Sequence, residues 1–147
     1  MHHIESEIDI AATPERVWSI LTDISAYPSW NPFIRAIKGS IEKGQRLTVS
    51  IQPTGGKAMT FRPTVLVAAP NTELRWLGHF LIPGIFDGEH YLKIVQTDAG
   101  RVRFTQGERF SGVLVGMAKA TLNRGTKSGF IAMNAALKAR AESSSSL

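Results

Sequence analysis

Three polar residues on two neighbouring predicted strands have the side chains best suited to chemistry: His90, Gln106 and Glu108. A strand directs successive side chains to opposite faces. In the last predicted strand one face carries only basic or small polar residues, and we assign it to water because charged side chains are rarely buried unpaired. Its arginines are Arg101, Arg103 and Arg109. Gln106 and Glu108 therefore point inward, and the same alternation turns His90 inward.

The two strands form a hairpin, and residues opposite each other in a hairpin share a face. A loop around residues 97–100 places His90 opposite either Gln106 or Glu108, and beside the other in both cases. An imidazole and a carboxylate in apolar surroundings can grip a polar group of a ligand or satisfy each other. They can also transfer protons, with His90 as general base and Glu108 orienting it or acting as acid. All three roles remain open at this point.

Aromatic and apolar residues are predicted to surround this polar cluster and, with it, to form a ligand-binding pocket. The predicted ligand-binding residues are Phe61, Trp76, Phe86, His90, Phe104, Gln106, Glu108, Phe110, Phe130 and Met133. We expect a cavity in the usual range of about 300–1,000 Å³ for ligand sites. Trp30 and Phe33 are expected to staple the short helices rather than to line this pocket.

The elements that must position these residues follow from periodicity. Residues 4–10 alternate between apolar and charged positions, which predicts a half-buried strand. Thr13-Pro14-Glu15 is typical of a helix start, and a second short helical segment is expected within 25–32. Turn residues then separate six further predicted strands. These are 33–39, 46–52, 58–68, 72–80, 85–96 and 101–112.

The last predicted element is a long helix over about residues 115–142. Its apolar stripe contains Leu122, Thr126, Gly129, Met133 and Ala136. Glycine costs about 1 kcal/mol in a helix, so Gly125 and Gly129 are expected to permit close packing on the sheet. A curved sheet needs this helix to bury its inner face.

We therefore predict an α+β helix-grip fold. A seven-stranded curved antiparallel sheet surrounds the long C-terminal helix, and two short helices follow the first strand. Residues 1–142 are expected to form one ligand-binding domain, with a disordered tail over 143–147.

Composition argues against several other classes of protein. The net charge of +5 is spread along the chain, so no nucleic-acid partner is expected. No apolar run suggests a transmembrane segment, and the acidic N-terminus does not resemble a signal peptide, which together predict a cytoplasmic protein. The sequence has no cysteine and no HExxH, GxSxG or GxGxxG motif. His79 and His90 have no evident third ligand, so neither a metal nor a cofactor is expected.

Several segments resemble a known superfamily. They are TPERVWSILTD, YPSWNPF, LRWLGHF, FDGEHYLKI and RFTQGERFSG. Together with the order of elements they are similar, over about residues 4–140, to the START and birch-pollen-allergen superfamily. The short length is more similar to its bacterial polyketide cyclase/dehydratase-like branch than to the lipid carriers. The resemblance implies an internal hydrophobic cavity, and it supplies no fixed catalytic residues.

Three functions are compatible with these observations. The first, which we favour, is a binding protein or carrier for a small hydrophobic molecule, because binding requires only the predicted cavity. The second is a cyclase- or dehydratase-type enzyme that uses His90 and Glu108. The third is a protein-interaction module like the chaperone-activator relatives, in which the outer surface binds the partner and the cavity has no function of its own.

Overall fold

The computed structural model describes residues 2–80 and 83–143, apart from the side chains of Phe80 and 118–123. Strand β1 (His2–Ile10) leads into helix α1 (Pro14–Thr22), a 3₁₀ turn (Ile24–Ala26) and the one-turn helix α2 (Tyr27–Trp30). The later elements are β2 (Ile34–Lys38), β3 (Thr48–Ile51), β4 (Met59–Phe61), β5 (Thr64–Ala69), β6 (Glu73–Phe80), β7 (Phe86–Asp98), β8 (Arg101–Ser111) and helix α3 (Val115–Glu142). The predicted tail beyond Ser143 and the Leu122 side chain lie outside the described residues.

The predicted single sheet of seven strands is wrong. The described residues form a five-stranded sheet in the order β1-β8-β7-β6-β5 and a three-stranded sheet in the order β2-β3-β4, with antiparallel pairing throughout. The predicted strand 58–68 divides at Pro63, which has no N–H to donate to a ladder. Its first part pairs with β3 and its second part with β6. An isolated bridge between Arg46 and Thr64 joins the two sheets.

Polar side chains organise the chain at the start of α1 and after α2. Thr13 Oγ1 accepts a hydrogen bond from the backbone N–H of Arg16 at 3.1 Å, and Pro14 occupies the first turn of α1. After α2, the buried Asn31 turns the chain into β2, because its Oδ1 accepts from the backbone N–H groups of Phe33 and Ile34 at 2.9 and 2.8 Å. The side-chain chemistry of these turns thus delivers Phe33 to the interior.

Helix α3 packs across the inner faces of the sheets. Phe130, Met133 and Leu137 are fully buried in the core. The expected close packing at Gly129 is confirmed, since a Cβ added there would overlap the ring of Phe33. That ring meets Phe130 edge to face, with centroids 5.6 Å apart. The contact gives a physical reason for a costly glycine within the helix.

The convex face of the large sheet carries ion pairs, as its basic residues predicted. Arg103 Nε lies 3.0 Å from Asp9 Oδ1, and Arg75 bonds to Glu73 and Glu89 at 2.7 and 2.5 Å. Helix α3 and the other described helices contain no segment long and apolar enough to cross a bilayer.

Tyr91 is buried on this convex face, which the alternation did not foresee. Its ring covers Gly107 on the adjacent strand, where a side chain would overlap it. The phenol OH bonds to Glu5 and, at 2.5 Å, to His3 Nε2. Burial and the Glu5 carboxylate raise the pKa of Tyr91 well above its usual range. The cross-strand glycine thus leaves room for the Tyr91 ring outside the main core, where the ring contacts the cationic groups of Arg75 and Lys93.

Candidate functional site

A cavity of about 330 Å³ lies between the two sheets and the N-terminal half of α3. Its wall is almost entirely apolar. It is formed by Phe33, Ile34, Ile51, Pro53, Met59, Phe61, Trp76, Phe86, His90, Glu108, Phe110, Leu114 and Thr126. The volume is at the lower end of the range of about 300–1,000 Å³ found for small-molecule sites.

Six of the ten residues predicted to bind ligand line this cavity. They are Phe61, Trp76, Phe86, His90, Glu108 and Phe110. The structure places the other four, Phe104, Gln106, Phe130 and Met133, in the buried interior behind the wall. Alternation along a strand gives the face of a residue, but it does not say whether α3 covers that part of the face. The core fills one end of the sheet and the cavity the other.

Other wall residues were not predicted as ligand contacts. Thr126 had been placed in the apolar stripe of the last helix without being assigned to a ligand, and Ile51 had not been singled out as a ligand contact. Phe33 was expected to staple the short helices, and instead it reaches both the cavity and Gly129. Pro53 lies in the loop after β3, and Leu114 lies just before the first turn of α3. Neither residue belongs to a strand, so strand alternation cannot predict where its side chain points.

The predicted proximity of His90 and Glu108 is confirmed by the pairing of β7 with β8. Of the two registers left open, the structure has His90 opposite Glu108. His90 Nδ1 lies 2.9 Å from Glu108 Oε1, and the two side chains are only 5% and 13% exposed. A carboxylate this poorly hydrated needs such a partner, because an unpaired buried charge is costly.

Gln106 extends the polar cluster away from the cavity. Its Oε1 lies 3.0 Å from His90 Nε2, and its Nε2 donates to Asn134 Oδ1 on α3 at 2.9 Å. Asn134 is buried and was missed by the sequence analysis. Its position four residues after Phe130 and three before Leu137 continues the buried stripe of the helix, so the helical period could have located it.

Two aromatic rings pack against the imidazole of His90. Trp76 stacks on His90 with centroids 5.1 Å apart and planes 11° apart, and Phe130 meets it edge to face at 5.3 Å. Trp76 and His90 are opposite each other on β6 and β7. The imidazole is therefore fixed in position by packing as well as by hydrogen bonds.

Two glycines opposite each other make the recess in which the polar end of the cavity lies. Gly78 on β6 pairs with Gly88 on β7. A Cβ at Gly88 would overlap Oε2 of Glu108, and one at Gly78 would lie 3.1 Å from the Phe61 ring. The absence of both side chains gives Glu108 and Phe61 their places in the wall.

His79 is on the opposite face of the sheet from His90. His79 Nδ1 bonds to Asp87 Oδ1 at 2.7 Å on the convex face, and Asp87 also accepts from the backbone N–H of Gly84. The hydrogen bond from His79, with that backbone N–H, lowers the pKa of Asp87. Within the described residues no three His, Asp or Glu side chains converge as metal ligands would.

Comparison with known proteins agrees with this architecture. The family model described as polyketide cyclase / dehydrase and lipid transport matches residues 1–142. No functionally curated protein matches the sequence.

Three solved structures illustrate the shared fold. The Zhui aromatase/cyclase from Streptomyces sp. R1128 is 18% identical, with a TM-score of 0.77 over 96% of this chain and 93% of that one. A START superfamily protein from Mycobacterium smegmatis is 22% identical, with a TM-score of 0.70 over 97% and 98%. A norcoclaurine synthase point mutant from Thalictrum flavum is 12% identical, with a TM-score of 0.73 over 95% and 93%.

At these identities the structural neighbours establish the fold and not a shared reaction. The family match covers nearly the whole sequence, and the START-like, polyketide cyclase-like resemblance of its segments is thereby confirmed. The chain belongs to the polyketide cyclase/dehydrase and lipid transport family.

Proposed function

We propose that the protein binds a small, largely hydrophobic molecule in the cavity between its sheets and α3. The observation that carries the proposal is the lining of this cavity, which is apolar except for Thr126 and the His90–Glu108 pair. An apolar wall supplies most of the binding free energy, and a few placed polar groups orient the ligand. A cavity of this kind favours a small-molecule ligand over a purely surface-mediated interaction.

Occupancy can be tested by filling the cavity. Ile51→Trp places a large side chain in the wall, whereas Ile131→Trp makes the same change at an exposed position of α3. Native mass spectrometry should find a small apolar molecule with the wild-type protein and with Ile131→Trp, and lose it with Ile51→Trp. Calorimetric titration with bicyclic hydrocarbons should likewise show binding to the wild-type protein and to Ile131→Trp, and loss of affinity in Ile51→Trp. A wild-type protein that carries no such molecule and binds no apolar probe would contradict the proposal.

A second candidate function is acid–base catalysis in the same cavity. It is favoured by Glu108, the only carboxylate among the described wall residues, which is paired with His90 in a nearly dry site. Such a base would remove a proton from the carbon beside a carbonyl. Proton exchange of tetralone in deuterium oxide, followed by NMR, should then be accelerated and should fall to background with Glu108→Gln. Unchanged exchange in that variant would contradict a catalytic role.

A further inference from the structure

His90 has no polar atom left for a ligand. Nδ1 is engaged by Glu108 and Nε2 by Gln106, at 2.9 and 3.0 Å. Trp76 covers a face of the ring and Phe130 packs against it. An imidazole with both nitrogens occupied and its ring enclosed cannot be the group that recognises the polar part of a ligand.

Glu108 has the free atom instead. Its Oε1 is held by His90, while Oε2 has no hydrogen-bond partner within the described part of the chain. Oε2 lies above Gly88, where the missing side chain leaves it space, and Glu108 lines the cavity. An ionised carboxylate oxygen only accepts hydrogen bonds. The His90–Glu108 pair therefore presents one acceptor atom to the cavity.

The apolar lining bears on the charge of the ligand. Glu108 already has a partner in His90, and His90 is in turn held by Gln106, whose Nε2 donates to Asn134. A charged ligand group would lose its hydration in this apolar cavity at a high desolvation cost, whereas a neutral hydroxyl would lose far less.

We infer that the ligand carries a neutral hydroxyl group, on a ring that the aromatic wall accommodates, and that Glu108 Oε2 accepts its hydrogen bond. His90 is a positioning residue that holds the carboxylate from behind. This inference rests on the proposed binding function. It differs from the catalytic role considered from the sequence, in which His90 was the general base and Glu108 oriented it or acted as acid.

Three probes of nearly equal size test the inference by calorimetric titration: naphthalene, naphthol, which donates a hydrogen bond, and quinoline, which only accepts one. On the wild-type protein naphthol should bind about 10- to 100-fold more tightly than naphthalene, the range expected for a hydrogen bond to a charged group. Quinoline should gain nothing, because its lone pair would face a carboxylate oxygen.

The variant Glu108→Gln should change this preference. It preserves the size of the side chain, and His90 can still hold its Oε1, so the amide NH₂ would replace Oε2 at the cavity. The advantage of naphthol should shrink and quinoline should become the tighter binder relative to naphthalene. Glu7→Gln, the same substitution at an exposed position of β1, is the matched control and should leave the wild-type order unchanged.

The positioning role of His90 is tested by His90→Phe, which keeps an aromatic ring against Trp76 but cannot hold Oε1. Naphthalene affinity should persist while the naphthol advantage falls. In the double variant His90→Phe and Glu108→Gln, quinoline should lose the gain in affinity that Glu108→Gln alone gives it, because nothing then orients the amide. A non-zero coupling free energy between the two substitutions would support the positioning role of His90. Independent effects of the two substitutions would refute it.

The possible failures are distinguishable. Equal affinity of naphthol and naphthalene on the wild-type protein, or an unchanged order in folded Glu108→Gln, overturns the inference and leaves cavity binding intact. A fourth probe, naphthylmethylammonium, carries a positive charge. If it binds the wild-type protein more tightly than naphthol does, the inference that the ligand group is neutral is wrong. Failure of all three first probes to bind contradicts the proposed function and the inference together.

Discussion

Gly88 determines how Glu108 stands in the cavity. The two residues lie on adjacent strands, and the carboxylate leans over the space that a side chain at position 88 would occupy. Glycine is required at position 88 for space and not for backbone conformation, because its φ is that of an ordinary strand residue. Alternation within β7 cannot reveal the purpose of this glycine, because that purpose depends on the side chain that leans over it from β8.

Gly88→Ala should therefore displace the Glu108 carboxylate and break its bond to His90. We expect the free energy of unfolding to fall by about 1–3 kcal/mol, the cost of leaving buried polar groups unpaired. Urea unfolding measures this change. Gly116→Ala in the first turn of α3 is the control, because a Cβ there meets nothing within 4 Å. It should be neutral or stabilising by about 1 kcal/mol. An equal response at both positions would show that Gly88 is not needed for space.

At the scale of elements, the sequence predicted what depends on local periodicity. The short helices, the long helix and the hairpin of β7 and β8 follow from turn residues and from periodicity within each segment. The division at Pro63 and the second sheet depend on which strand each half of the segment finds as a partner. The site shows the same limit: strand parity brought His90 to Glu108, but the extent of the cavity depends on where α3 crosses the sheet.

The C-terminal end of α3 is attached to the end of β1 by Glu142. Its Oε2 accepts from Lys138 Nζ and from the backbone N–H of Ala11, each at 2.7 Å. The ammonium of Lys138, together with that N–H, lowers the pKa of Glu142. A carboxyl group with a lowered pKa in the folded state stabilises the protein above its unfolded pKa, and this contribution is lost as the pH falls through the folded pKa.

Glu142→Gln should consequently lower the free energy of unfolding at about pH 7 and have a smaller effect at about pH 3, because the wild-type carboxyl group becomes protonated as the pH falls through its lowered pKa. Urea unfolding at the two pH values measures the difference. Glu42→Gln, at an exposed loop position, serves as the control and should cause little change at either pH. A Glu142→Gln effect of the same size at both pH values would exclude the ionised form as the source of the stabilisation.

At the scale of the whole molecule, the basic side chains are dispersed, and several of them form ion pairs or hydrogen bonds within the protein. Arg75 and Arg103 pair with carboxylates on the convex face. Lys127 and Lys138 donate to the backbone carbonyls of Glu5 and Asp9 in β1. The last two contacts also cover part of β1, which has a partner strand on one side only.

Nucleic-acid binding should accordingly be weak and insensitive to sequence. Fluorescence anisotropy with labelled duplex and single-stranded DNA should give dissociation constants of about 10⁻⁴–10⁻⁶ M at physiological salt, with a steep loss as salt rises. Selective binding in the nanomolar range would show that the basic residues form a specific surface. A duplex of scrambled sequence provides the comparison.

The two sheets are joined by a narrow junction, so we expect the cavity wall formed by the small sheet to move more easily than the wall formed by the large sheet. Ile51, Met59 and Phe61 belong to the small sheet, whereas the polar groups His90 and Glu108 belong to the continuous ladders of the large one. Around the Arg46–Thr64 bridge the sheets share few main-chain bonds, among them Leu47 N–H to Pro63 O and Val65 N–H to Gln45 O, each 2.8 Å. Local opening at this junction costs less than global unfolding. For a ligand in the proposed site we therefore expect the residence time to depend on the small-sheet wall, while the large-sheet wall with His90 and Glu108 keeps its geometry.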